Sequence, residues 1–109
     1  MTDQIFHTVW SNALNTTDRD EFISDWALSS IWGDAPEANI PQERINHLAQ
    51  IWDAAHMNVK EICKEAKLTQ AQFATKFCIP KRTVEDWCRG VSKCPDYTRL
   101  LIIKALNML

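Results

Sequence analysis

The sequence predicts an all-α protein, and three observations predict it. Only 2 glycines and 4 prolines punctuate 109 residues, too few for a set of β-hairpins or for phosphate-cradling loops. Apolar residues recur every three to four positions along most of the chain, the period of a helix with one buried face. Three capping signatures, Asn39 with Gln42, Asn58 with Glu61 and Thr69 with Gln72, mark helix starts. At 46% hydrophobic and 24% charged residues, the composition is that of a chain able to fold by itself, and the length excludes two large domains.

The elements follow in order. Phe6, Val9, Trp10, Ala13 and Leu14 place an amphipathic helix over about residues 2–15. Thr16, Thr17 and Asp18 end it and cap a second helix over about 18–32. Asp18, Asp20 and Glu21 fall in the first turn of that helix, where its dipole favours negative charge. Phe22, Ile23, Trp26, Ala27 and Ile31 form its apolar set, and Gly33 suits the left-handed residue past its end. Residues 34–39, with Pro36, read as a loop. A third helix carries Ile45, Leu48, Ala49, Trp52 and Ala55 on one stripe. Val59, Ile62, Cys63 and Ala66 give a short fourth helix, and Gln70 to Phe77 a fifth, with Leu68 and Phe73 as its hydrophobic staple. A sixth opens at Ile79-Pro80 and ends at Gly90, and a seventh, apolar one runs from Pro95 to Leu109.

Charge divides the chain. Residues 1–57 hold 2 basic side chains against 9 acidic ones, a balance of −7, whereas residues 58–109 hold 10 basic against 5 acidic, a balance of +5. Such asymmetry predicts that the second half meets a polyanion and the first does not. Two regions are therefore expected, an acidic, tryptophan-rich one over 1–57 and a basic one over 58–109.

Other classes of function find little support. Cys63, Cys78, Cys88 and Cys94 are separated by 14, 9 and 5 residues and match no zinc-site pairing; reduced, mostly buried thiols are expected. His47 and His56, nine positions apart on one helix, face opposite ways and cannot chelate one ion. No serine elbow, phosphate loop or nucleophile constellation is present, so neither catalysis nor a cofactor is expected. No apolar run approaches the roughly 20 residues of a membrane span, and the first residues lack the basic-then-apolar pattern of a leader. A cytoplasmic protein is expected.

Gln70 to Trp87 has the organisation of a helix-turn-helix. Two short helices that cross steeply need a small residue where they touch, supplied by Ala74, and apolar residues toward a shared core, supplied by Phe73, Phe77, Ile79, Val84 and Trp87. Lys81, Arg82, Thr83, Glu85 and Asp86 leave the outer face of the second helix polar. Leu68 to Pro95, LTQAQFATKFCIPKRTVEDWCRGVSKCP, resembles the Cro and phage-repressor type of helix-turn-helix. The features in register are the Thr-Gln pair opening the first helix, the alanine in its middle, the β-branched residue in the second helix, and the trailing Gly with a later Pro. The likeness extends over about 58–109 and implies a λ-repressor-like, five-helix-type bundle preceded by an additional helical region.

The resemblance implies roles. Gln70 corresponds to the glutamine that bonds a phosphate at a helix N-terminus. Lys81, Arg82 and Asp86 correspond to residues facing base edges, with Thr83 at the groove edge or on phosphate, and Arg89 and Lys93 to backbone contacts. The chemistry is suitable: arginine bonds guanine O6 and N7 with two donors, and a carboxylate accepts from cytosine N4. Asp86 would also repel phosphate, so it is either a reader or the partner of Arg82 or Arg89. Glu85 is expected simply to face solvent. Two positions depart from the pattern. Cys78 stands at the turn where glycine is usual, which implies a non-glycine residue at positive φ. Cys88 stands where an acidic residue is common.

The first half holds Trp10, Trp26, Trp32 and Trp52. They fill the core of a three-helix cap, or they form a homodimer contact, since large aromatics suit interfaces. The resembled family binds paired half-sites as dimers, and dimerisation doubles the phosphate contacts. A third reading makes the acidic half a surface for a protein target, as in antitoxins and phage or prophage anti-CRISPR-like inhibitors that also repress their own promoters. Overall, the sequence predicts sequence-specific binding of double-stranded DNA by a homodimeric transcriptional repressor, with the protein-target inhibitor as the alternative.

Overall fold

A computed structural model describes residues 1–32 and 40–109, with Ile31 represented by its backbone only. Over these residues the chain is helical, with seven α-helices and no strand: α1 (Asp3–Asn15), α2 (Arg19–Ala27), α3 (Gln42–Ala55), α4 (Val59–Glu65), α5 (Gln70–Phe77), α6 (Lys81–Arg89) and α7 (Asp96–Ala105). They fall into two compact units, Met1–His56 with Leu109, and Met57–Met108.

In the first unit α1, α2 and α3 pack on one another. The oxygens of Thr2 and Asp18 accept from the backbone N–H groups of Ile5 and Glu21 and so start α1 and α2. Val9, Trp10, Ala13, Phe22, Ala27, Leu48, Ile51, Ala54 and Ala55 form the core. Ile51 replaces Ala49 and Trp52 on the innermost stripe of α3: Ile51 is fully buried, while those two are half-buried.

The tryptophans belong to this unit's interior. Trp10 is buried. The indole N–H groups of Trp26, Trp32 and Trp52 donate to Asn12 Oδ1 at 2.9 Å, Trp26 O at 2.8 Å and Thr16 O at 2.9 Å. Indole bodies laid on apolar surface with each N–H bonded satisfy what burial of tryptophan requires. Arg44 stacks 4.6 Å above the Trp32 ring, and Arg19 grips Asp53 through two bonds of 2.8 and 3.1 Å.

The second helix is shorter than the sequence predicts. It stops at Ala27, and a single 3-10 turn, Ser30–Trp32, replaces the expected continuation to residue 32. The Trp26 carbonyl, which a longer helix would pair with the N–H of residue 30, instead accepts from Ser29 N–H and the Trp32 indole. Gly33, the loop over 34–39 with Pro36, and the Asn39 cap lie outside the described residues. α3 takes Pro41 as its N-cap, without a side-chain cap bond.

In the second unit both expected capping boxes are present, Asn58 with Glu61 and Thr69 with Gln72. Val59, Ile62, Cys63, Phe73, Ala74, Val84, Cys94, Ile102 and Ile103 are buried. Phe77, Ile79 and Trp87 line this core half-buried. The unit has four helices, one fewer than the five-helix bundle the resemblance implies, and α7 ends at Ala105 rather than at Leu109. Arg99 is buried among them. It donates to Met57 O at 2.7 Å and to Asp96 Oδ1 at 3.1 Å, fastening the start of α7 to the residue that precedes the α4 cap.

All four helices of this unit end the same way. Lys67, Cys78, Gly90 and Asn107 have φ of 57°, 54°, 76° and 55°. The residue after each returns its N–H to a carbonyl five positions back: Leu68 to Cys63, Ile79 to Ala74, Val91 to Asp86 and Met108 to Ile103. This is the Schellman arrangement, which turns the chain sharply and satisfies the last carbonyls. Glycine occupies one of the four positions. The left-handed conformation costs an L-residue about 1 kcal/mol, so Cys78→Gly should raise the unfolding free energy by about that much, read from the shift in urea midpoint.

Burial pushes the Cys63 thiol up to about 11 from its ordinary value of 9.0, with lesser upward contributions from the charge of Cys88 and a hydrogen bond to it. The folded state holds this proton more tightly than the unfolded chain does. The resulting stabilisation is complete below pH 9 and disappears as pH rises to about 11. Cys63→Ala should therefore lose less stability than the parent between these two pH values in melts followed by circular dichroism.

Candidate nucleic-acid interface

The candidate site lies on α5, the turn at Cys78, and α6. Thr69 Oγ1 accepts from Gln72 N–H while Gln72 Oε1 accepts from Thr69 N–H, so the α5 N-terminus is fixed by two reciprocal bonds. Gln70 is the first residue inside it and is exposed. The left-handed Cys78 then redirects the chain into Ile79-Pro80, and Pro80 caps α6. Because α5 and α6 pack together and Phe73, Ala74 and Val84 are buried, the direction of α6 is set by core packing.

Val84, Trp87 and Cys88 occupy the inner side of α6, at the i, i+3, i+4 spacing of one face. Arg82, Asp86 and Arg89, at i, i+4 and i+7, share the opposite stripe. Lys81 and Arg82 are exposed in the first turn. Lys81 Nζ lies 4.0 Å from Glu85 Oε1, with both side chains well exposed, a contact water largely screens. Arg82 has no hydrogen bond or ion pair among the described residues, which leaves its five donors available to a ligand. Thr83 is half-buried. Lys93 is exposed in the turn that follows α6.

Asp86 is engaged within the helix. Its Oδ1 accepts from Arg89 Nη2 at 3.0 Å, and the Asp86 side chain is 25% exposed against 67% for Arg89. Of the two alternatives, reader or partner, the second is the one observed here. The Asp86 carboxylate holds Arg89 near the C-terminus of α6, where a positive charge also opposes the helix dipole.

Six of the seven residues singled out in the sequence thus lie on α5 or α6, and Lys93 lies just beyond. The role of Glu85 beside Lys81 was missed, although their i, i+4 spacing on a charged face signals it. Among the described residues no three potential metal ligands gather, and no helix is long and apolar enough to cross a membrane.

Comparison with known families matches residues 59–106 to the helix-turn-helix family of the Cro/C1 type. Residues 59–106 are a helix-turn-helix domain. No curated protein and no solved structure matches the chain. The helix-turn-helix domain spans α4 to α7, and the matched boundaries fall within one residue of the start of α4 and the end of α7. It is of a DNA-binding kind, and in it α6 occupies the place of the recognition helix.

Proposed function

We infer that the protein binds double-stranded DNA in a sequence-specific manner and acts as a homodimeric repressor, working in the cytoplasm without catalysis. The observation that carries this reading is the outer face of α6, where Lys81 and Arg82 stand exposed at the N-terminal end of a helix whose opposite side is anchored by Val84. A recognition helix needs that arrangement, since its first turn must reach base edges while its back holds the angle of approach.

The roles follow from placement. Arg82 reads guanine through O6 and N7, and Lys81 serves the adjacent base edge or phosphate. Gln70 N–H and side chain hold a phosphate at the α5 terminus, with the dipole pointing at the same anion. Thr83 sits at the groove edge. Arg89, steadied by Asp86, and Lys93 serve the sugar-phosphate backbone, and Asp86 acts through Arg89 rather than on cytosine. Second-half charge supports the polyanion partner: 10 basic against 5 acidic side chains from residue 58 onward.

The tryptophans of the first half, bonded within their own unit, favour a structural use over an aromatic docking surface. Pairing of two copies supplies the second half-site.

Selection from a random duplex pool tests the reading directly. The expected product is a sequence with two-fold symmetry and half-sites about one helical turn, or a multiple of it, apart. Enrichment of no sequence, or retention of DNA that does not weaken steeply as salt rises, would contradict it.

A further inference from the structure

Two of the four cysteines meet inside the helix-turn-helix domain. Cys63 on α4 and Cys88 on α6 lie across the contact between these helices, with their thiols close enough to hydrogen-bond. Their surroundings differ. Cys63 is 5% exposed, whereas Cys88 is half-buried and has the positive charge of Lys60 nearby.

We propose that Cys63 and Cys88 form an oxidisable pair in which Cys88 reacts first with a hydroperoxide and Cys63 closes a disulfide that ties α6 to α4. Division of labour follows from placement. Solvent reaches Cys88 more readily, and both the Lys60 charge and the bond from Cys63 favour its thiolate, the nucleophilic form. Cys63 keeps its proton, because burial disfavours its charge. The chemistry balances: the Cys88 thiolate attacks one peroxide oxygen, the O–O bond breaks, and with one proton a sulfenic acid and water result. The Cys63 sulfur then attacks the Cys88 sulfur, the S–O bond breaks, and the hydroxyl leaves with the Cys63 proton as a second water. Two thiols lose two electrons in all, and the peroxide gains them.

Burial still raises the Cys88 thiol above its ordinary value, so its thiolate is scarce at neutral pH. The rate of disulfide formation should climb about tenfold per pH unit below that value, as the thiolate fraction does. The closed loop spans residues 63–88, and cross-linking a loop of that length should raise the melting temperature by about 5 °C or more.

The test uses the full chain carrying Cys78→Gly, which removes the exposed thiol, alongside the unaltered chain. Each is treated with hydrogen peroxide, blocked with N-ethylmaleimide, and digested with trypsin without reduction. The expected product joins the peptides Glu61–Lys64 and Thr83–Arg89, lighter than their sum by two hydrogens, and is absent from Cys63→Ser. In Cys63→Ser, Cys88 should instead accumulate as sulfinic acid, a product that a merely structural thiol would not give. Cross-linking of Cys88 to Cys94, links between chains only, or Cys63 and Cys88 both recovered as maleimide adducts would overturn the proposal.

Discussion

Phe73→Ala should unfold the helix-turn-helix domain at ordinary temperatures. Phe73 is fully buried at the centre of α5 and lies 5.0 Å, ring to ring, from Phe77. Truncating a buried phenylalanine removes its transfer free energy and leaves a cavity, together about 3–5 kcal/mol. A domain of this size holds little more stability than that to begin with, because small domains bury a smaller share of their surface. Nothing nearby can collapse cheaply into the space, since Ala74 is already small and Val84 is held by α6. The measurement is urea unfolding followed by circular dichroism. Loss of a large part of the helical signal before the parent's transition is expected, together with loss of DNA binding. Phe73→Leu should restore most of both, and an alanine variant as stable as the parent would mean that the α5–α6 angle does not depend on this ring.

Lys81→Ala combined with Arg82→Ala should separate binding from folding. Both side chains are exposed, so stability should change by less than about 0.5 kcal/mol. Arg82 bonded to a guanine contributes about 1–3 kcal/mol of discrimination, and Lys81 adds a charge whose contact with phosphate releases a counterion. Affinity for the selected sequence should drop on the order of 100-fold. The slope of log affinity against log salt should become shallower by about one for each phosphate contact removed. Mobility shifts at several salt concentrations read both quantities. Unchanged affinity in a folded double variant would remove the first turn of α6 from the interface.

Much of the second unit is legible in the sequence because its signals are local. Asn58 with Glu61 and Thr69 with Gln72 place the starts of α4 and α5, and the bounds of α5 coincide with those expected. Cys78 at positive φ follows from a position in a pattern. The Asp86–Arg89 pair is foreshadowed by its i, i+3 spacing, although spacing alone leaves the reader and partner roles equally open. What the sequence hides is set by tertiary contacts. Apolar spacing from Phe22 to Ile31 continues a helical period, yet α2 stops because the Trp32 indole takes the Trp26 carbonyl from outside the helix. Arg99 gives no sign of burial, since arginine is usually exposed and its partner carbonyl is 42 positions away. The end of α7 is partly readable, as Asn107 is among the few residues that tolerate a left-handed turn.

The four left-handed helix ends also bear on how this domain can be retargeted. Lys67, Cys78 and Asn107 occupy conformations that glycine adopts without penalty, so the natural sequence stops short of the stability its backbone allows. Installing glycine at these joints, none of which lies on α6, gives a sturdier scaffold with the reading surface untouched. New side chains at Lys81 to Thr83 that recognise a different operator, at some expense in helix propensity or charge repulsion, can then be tried without collapse of the chain. Tolerance to altered specificity would be set at the hinges between helices, away from the residues that are exchanged.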